Sequence, residues 1–255
     1  MDLLYGRQPV LESLRAGRRR FRALYVAAGL RQTPDVTNLL DAAGRRGATV
    51  QPAETPFLDQ LCAGGHHQGV ALECGPYPYV ELDPAALRPT SDDPEPLVLV
   101  LDHVQDPQNL GSILRTAEGA GARLAVIPTD RAVGVTPAVA RASAGACEHL
   151  RVARVTNLVR AMQTLKEHEF WIAGLESLPE AIPSWEQDLR GPLALVIGSE
   201  GAGLGRLVRE TCDFLVRLPM RGQVASYNAG VAVAMAVYEV VRQRVSPAQA
   251  AAGSA

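Results

Sequence analysis

Lysine is almost absent from this chain. Of its 25 basic residues only Lys166 is a lysine, and the rest are arginine. Long apolar runs are missing too. No stretch approaches the ~20 apolar residues of a membrane helix. The start, MDLLYGRQPV, has neither the basic opening nor the apolar core of a secretory signal. The expectation is a cytoplasmic protein with no membrane partner. Cysteine is scarce: Cys62, Cys74, Cys147 and Cys212 form no CxxC and no Cys/His cluster. That argues against a disulfide framework and against a zinc site, so no metal is expected, and the thiols read as small buried apolar groups. GxGxxG and GxxxxGK are also missing, which removes the usual dinucleotide and P-loop readings.

What is present is ordinary for a globular protein. The 255 residues are 47% apolar and 20% charged, with a net charge of −2. Bulk charge therefore does not announce nucleic acid. The distribution says more. Arg15, Arg18, Arg19, Arg20 and Arg22 cluster near the start, and Arg45 and Arg46 form a second group. Guanidinium planes stack on bases and fork onto phosphates. The competing reading is a solvated face in a genome that favours arginine codons.

Residues 1–75 alternate short helices and strands, a compact α/β unit. ALYVA, ATVQPA and GVALEC read as strands, and 35–44 as a helix. Residues 76–96 hold six prolines, read as a stiff linker with little regular structure. From Leu97 to residue 245, the apolar runs LVLVLD, RLAVIP, HLRVARV, FWIAGL, LALVIG and FLVRLP alternate with helical segments at 109–121, 136–143, 157–168, 203–212 and 227–243. Continuously apolar strands indicate a mostly parallel, Rossmann-like sheet covered on both faces. Residues 246–255 read as a disordered tail. His66 and His67 read as solvent-facing loop histidines.

Three segments carry the chemistry. DPQNLGSILRTAEGAGA follows the strand LVLVL, so Asn109, Gly111 and Arg115 fall where a strand feeds a helix, the edge at which open α/β sheets bind ligands. Asn109 reads as a helix cap, and Arg115 either as a surface residue or as a phosphate grip. IGSEGAGLG follows LALVI. Its glycines permit close backbone approach to a ligand, and Glu200 sits among them. RLPMRGQVASYNAGV brings a strand end, Leu218-Pro219, to a helix entered near Ser226, with Asn228 two residues on. Ser226 by itself reads as an N-cap.

The order N…G…R, then G-x-E-G, then LP…S-x-N resembles the SpoU/TrmH (SPOUT) family of RNA ribose 2′-O-methyltransferases. YGRQPVLESL, HQGVAL and CEHLRVARVTNL are similar to its RlmB branch, so the resemblance runs over about residues 3–244. It implies a C-terminal SPOUT α/β-knot, trefoil-knotted, with a small ribosomal-protein-like RNA-binding domain in front. It implies S-adenosylmethionine as methyl donor and a homodimer in which two chains build one site. It implies catalytic roles for Asn109, Arg115, Glu200, Ser226 and Asn228, and donor binding by Gly198, Leu218, Met220 and Tyr227. The substrate it implies is a guanosine ribose in the P-site loop of 23S rRNA, naked or in an assembly intermediate. The alternatives are the same chemistry on tRNA or another rRNA site, and a non-catalytic RNA-binding or ribosome-assembly protein. Arg115 is expected to position and neutralise charge; a guanidinium holds its proton too tightly to act readily as a base.

Overall fold

The computed structural model describes residues 1–199, 201, 203–223 and 226–245. The tail expected to be disordered, 246–255, lies outside the described residues.

The first unit is a four-stranded sheet. Its elements run β1 (Asp2–Tyr5), α1 (Arg7–Ala16), β2 (Phe21–Ala27), α2 (Pro34–Arg45), β3 (Thr49–Ala53), α3 (Thr55–Leu61) and β4 (Val70–Cys74), with strand order β1-β4-β2-β3. Thr33 caps α2 by accepting from Val36 N, and Pro34 follows at the first helical position, where a missing N–H costs nothing. His66 is exposed as expected, but His67 is buried. Its Nδ1 accepts from Gly69 N at 3.0 Å and its Nε2 meets Asp59 Oδ1 at 3.0 Å, so two short-range polar partners draw the ring in.

The second unit is a seven-stranded sheet in which every pairing is parallel. Its elements are β5 (Leu97–Leu101), α4 (Pro107–Gly119), β6 (Leu124–Pro128), α5 (Pro137–Ala142), β7 (Arg151–Val155), α6 (Leu158–Lys166), β8 (Trp171–Leu175), β9 (Ile182–Pro183), β10 (Leu193–Ile197), α7 (Arg206–Thr211), β11 (Phe214–Arg217) and α8 (Ala229–Arg244). The order is β7-β6-β5-β10-β8-β11-β9. β5, β6 and β10 are buried at every residue, the pattern of strands covered on both faces.

The proline-rich stretch packs onto the body. Val80 bridges to Ala153 at the β7 edge, Pro84–Leu87 form a 3₁₀ turn, and Tyr77 and Leu87 are buried. The Tyr77 hydroxyl donates to Cys147 O and Leu150 O at 3.0 and 2.8 Å. The two units share one apolar cluster, with Leu4, Val10 and Leu14 joined to Leu110, Ile113 and Val139. At the seam Arg19 and Glu148, both with fully buried side chains, pair through Nη2 and Oε1 at 2.7 Å. Arg19 also donates to Asp2 and to Gly75 O, and Arg18 to Pro78 O, Glu148 O and Leu150 O. These two arginines are therefore structural, not part of a free basic face. Arg46 is a third: it satisfies Leu14 O and Arg15 O at the end of α1.

Candidate active site

The carboxyl ends of β8, β10 and β11 open onto a cavity of about 520 Å³. That size suits a nucleoside-sized ligand. The chain segments leaving those three strands and the start of α8 form its walls: Glu176 and Ser177 after β8, Gly198, Ser199 and Gly203 after β10, Leu218 after β11, and Ser226, Tyr227 and Asn228.

The backbone at Gly198 cannot carry a side chain. A Cβ there would come within 2.2 Å of the Gly203 carbonyl carbon, because the segment after β10 folds back on itself. Ser199 and Gly203 exchange two backbone hydrogen bonds, at 3.2 and 3.1 Å. Gly203 needs its left-handed φ of 66° to make that return. Glu200, between them in sequence, lies outside the described residues.

Two expectations about helix starts are corrected. α4 is capped by Asp106, whose Oδ2 accepts from Asn109 N at 3.0 Å. Asn109 is not the cap but a buried residue of the first turn. The cap of α8 is Asn228, not Ser226: its Oδ1 accepts from Val231 N at 3.3 Å. The physical reason is common to both. A cap needs its oxygen aimed at the amide three residues on, and Asp106 and Asn228 hold that register. The first and third motifs meet here, where Asn228 Nδ2 donates to Asn109 Oδ1 at 2.9 Å. Helices α4 and α8 approach closely there, since a Cβ on Gly230 would meet Ser112 Oγ at 2.8 Å.

Of the donor-binding expectations, Gly198, Leu218 and Tyr227 line the cavity, whereas Met220 is half-buried and not among its lining residues. Arg115 is exposed on α4, with no hydrogen bond or ion pair to the described residues, and lies outside the cavity lining. Glu176 and Asp102 escaped the sequence reading. The residue that follows each parallel strand sits at the binding edge of the sheet, and asking which residue that is would have found both.

Among the described residues no group of His, Cys, Asp or Glu could hold a metal, and no helix is long and apolar enough to cross a membrane. Burial pushes the Cys147 and Cys212 thiols up to about 12, so neither is a thiolate nucleophile at neutral pH.

A sequence model of the SpoU rRNA Methylase family matches residues 96–238, and one for RNA 2′-O ribose methyltransferase substrate binding matches residues 3–80. A Bacillus subtilis protein, YacO, named for the TrmH family of tRNA/rRNA methyltransferases, is 43% identical over 248 residues, covering 95% of this chain and 96% of that one. The 23S rRNA (guanosine-2′-O-)-methyltransferase RlmB of Pseudomonas putida is 39% identical over 245 residues, covering 96% and 97%. The crystal structure of the SpoU methyltransferase AviRb from Streptomyces viridochromogenes, in complex with the cofactor AdoMet, superposes with a TM-score of 0.79 at 25% identity, covering 95% and 90%.

Proposed function

Because the chain belongs to the SpoU rRNA methylase family of RNA 2′-O-methyltransferases, we propose that it methylates a guanosine 2′-hydroxyl in the P-site loop of 23S rRNA with S-adenosylmethionine as donor. One observation carries the reading. The Asn109–Asn228 hydrogen bond ties the first motif to the third at a cavity that Asn228 lines together with Gly198, Leu218 and Tyr227.

The residues present fit the donor. The glycine backbone after β10 leaves room for close approach, Leu218, Ala229 and Ala232 give apolar wall, and Ser226 and Ser177 give hydroxyls. When bound, S-adenosylmethionine supplies an electrophilic methyl group that passes to the ribose oxygen. The protein's own share begins with positioning, which can remove about 7–11 kcal/mol of such a barrier. Asn109 and Asn228 fix the helix starts on which the acceptor ribose rests. Arg115 is available to phosphate through its two-pronged guanidinium. Glu200 and Ser226 are further candidates for holding the acceptor.

A second copy of the chain completes the site in this reading. Val231, Met235 and Tyr238 recur at i, i+4 and i+7 along α8 and are 49%, 41% and 68% exposed, with Trp185 at 58% beside them in one groove. An apolar stripe of that kind on a soluble chain marks an interface. Arg115's position outside its own cavity lining supports a site built from two chains. Residues 1–75 are the RNA-binding unit, with 76–96 joining it to the catalytic unit at 97–245.

Incubation with methyl-labelled S-adenosylmethionine and unmodified 23S rRNA, followed by mapping of alkali-resistant linkages, tests the substrate. One labelled guanosine in the P-site loop is the expected result. Label elsewhere on 23S rRNA, or on tRNA alone, would overturn the substrate; donor binding without transfer to any RNA would favour the non-catalytic reading.

A further inference from the structure

Asp102 and Glu176 have no part in the reading above, yet they occupy equivalent places. β10 lies between β5 and β8, and each of those neighbours is followed directly by a carboxylate: Asp102 after β5 and Glu176 after β8. The chain leaving β10 folds back through the Ser199–Gly203 bridge, and its next two amides are taken one by each carboxylate. Leu204 N donates to Glu176 Oε1 at 2.5 Å, and Gly205 N donates to Asp102 Oδ2 at 2.7 Å. Space is made for this on the Glu176 side, since a Cβ on Gly203 would meet Glu176 Oε1 at 2.7 Å and Oε2 at 2.9 Å. On the other side Asp102 is buried, and its remaining oxygen meets His103 Nδ1. Hydrogen bonds to an ionised acceptor are about twice as strong as neutral ones.

The geometry points to Asp102 and Glu176 as a pair of positioning residues that clamp the Gly203–Gly205 backbone from opposite sides of β10. The clamp holds one wall of the cavity in the shape that admits the methyl donor. Glu176 faces the cavity, whereas Asp102 lies outside its lining and acts only through the backbone. The inference rests on the assignment of this cavity to S-adenosylmethionine.

The test is donor binding by the full chain, measured calorimetrically with S-adenosylmethionine alone, next to melting temperature and affinity for a 23S rRNA fragment. Glu176→Leu removes the acceptor and is expected to weaken donor binding about tenfold or more. Glu176→Gln keeps a carbonyl acceptor for Leu204 N and is expected to recover part of that loss. Asp102→Ala is expected to weaken donor binding as well, although its side chain does not reach the cavity, while RNA affinity stays at the wild-type value in all three. Where Asp102→Ala fails to fold, Asp102→Asn replaces it, with a smaller loss expected. Wild-type donor affinity in the Glu176→Leu variant overturns the clamp. So does wild-type affinity in the Asp102 variant, because Glu176 would then act by direct contact alone. A wild-type chain that binds no donor overturns the cavity assignment itself and the inference with it.

Discussion

Arg115 and Arg19 are the same residue type with opposite fates. Arg19 is sealed in the seam between the units, where burial opposes its charge and Glu148 and Asp2 more than restore it, leaving its pKa raised. Arg115 stands exposed on α4 with no acid paired to it among the described residues, free to meet an anionic ligand. Arg115→Ala is expected to lower methyl transfer about 100-fold or more while donor affinity and melting temperature stay unchanged. Arg115→Lys is expected to recover little, because an ammonium cannot fork onto phosphate. A near-wild-type single-turnover rate in Arg115→Ala would remove the residue from the mechanism. The sequence could place these arginines in motifs and clusters but could not sort them, since the sorting depends on what surrounds each one.

Helix α4 shows how one element serves two neighbours and an outward face. Asp106 caps it, Asn109 faces Asn228, Gly111 faces α5, Ser112 faces Gly230 on α8, and Arg115 faces outward. A Cβ at Gly111 would lie 2.4 Å from Ala142 Cβ and 2.9 Å from Ser143 N, part of the α5 backbone region. Gly111→Ala sets an intrinsic helix gain of about 1 kcal/mol against overpacking of about 1–3 kcal/mol. Because backbone must move, overpacking is expected to win, with a fall of about 2–4 °C in melting temperature per kcal/mol. A raised melting temperature on calorimetry would mean that α5 yields freely. The cap at Asp106 was legible in the sequence as Asp-Pro ahead of an apolar-periodic run, the usual cap-then-proline pattern. The helix accordingly begins at Pro107, two residues ahead of the start expected at 109.

At the scale of the whole molecule, the first unit is bonded to the second rather than merely linked to it. Arg18, Arg19, Tyr77 and Glu148 make one polar seam, and the 146–148 turn that carries Glu148 packs directly on α4. Glu148→Gln leaves the Arg19 charge buried with only the partly exposed Asp2 to balance it. Breaking a buried pair in that way costs about 3–5 kcal/mol. The variant is expected to melt several degrees lower and to bind RNA more weakly at unchanged donor affinity. Wild-type melting would show that the seam contributes nothing to stability, and wild-type RNA affinity in a destabilised variant would separate docking from RNA recognition.

The sequence by itself determined the alternation of strands and helices in both units, the buried character of the central strands and the make-up of each of the three motifs. Each is local information, carried by apolar runs, helix signals and short spacings within about 20 residues. Only the tertiary structure decided that β10 inserts between β5 and β8, that Asn109 meets Asn228 across 119 residues of chain, and that Arg19 meets Glu148 across 129. It also decided that Glu176 and Asp102, 74 residues apart in sequence, take adjacent amides of the same backbone segment. Local pattern cannot encode such partners, because a polar side chain's role is set by the donors and acceptors that folding brings to it once water is excluded.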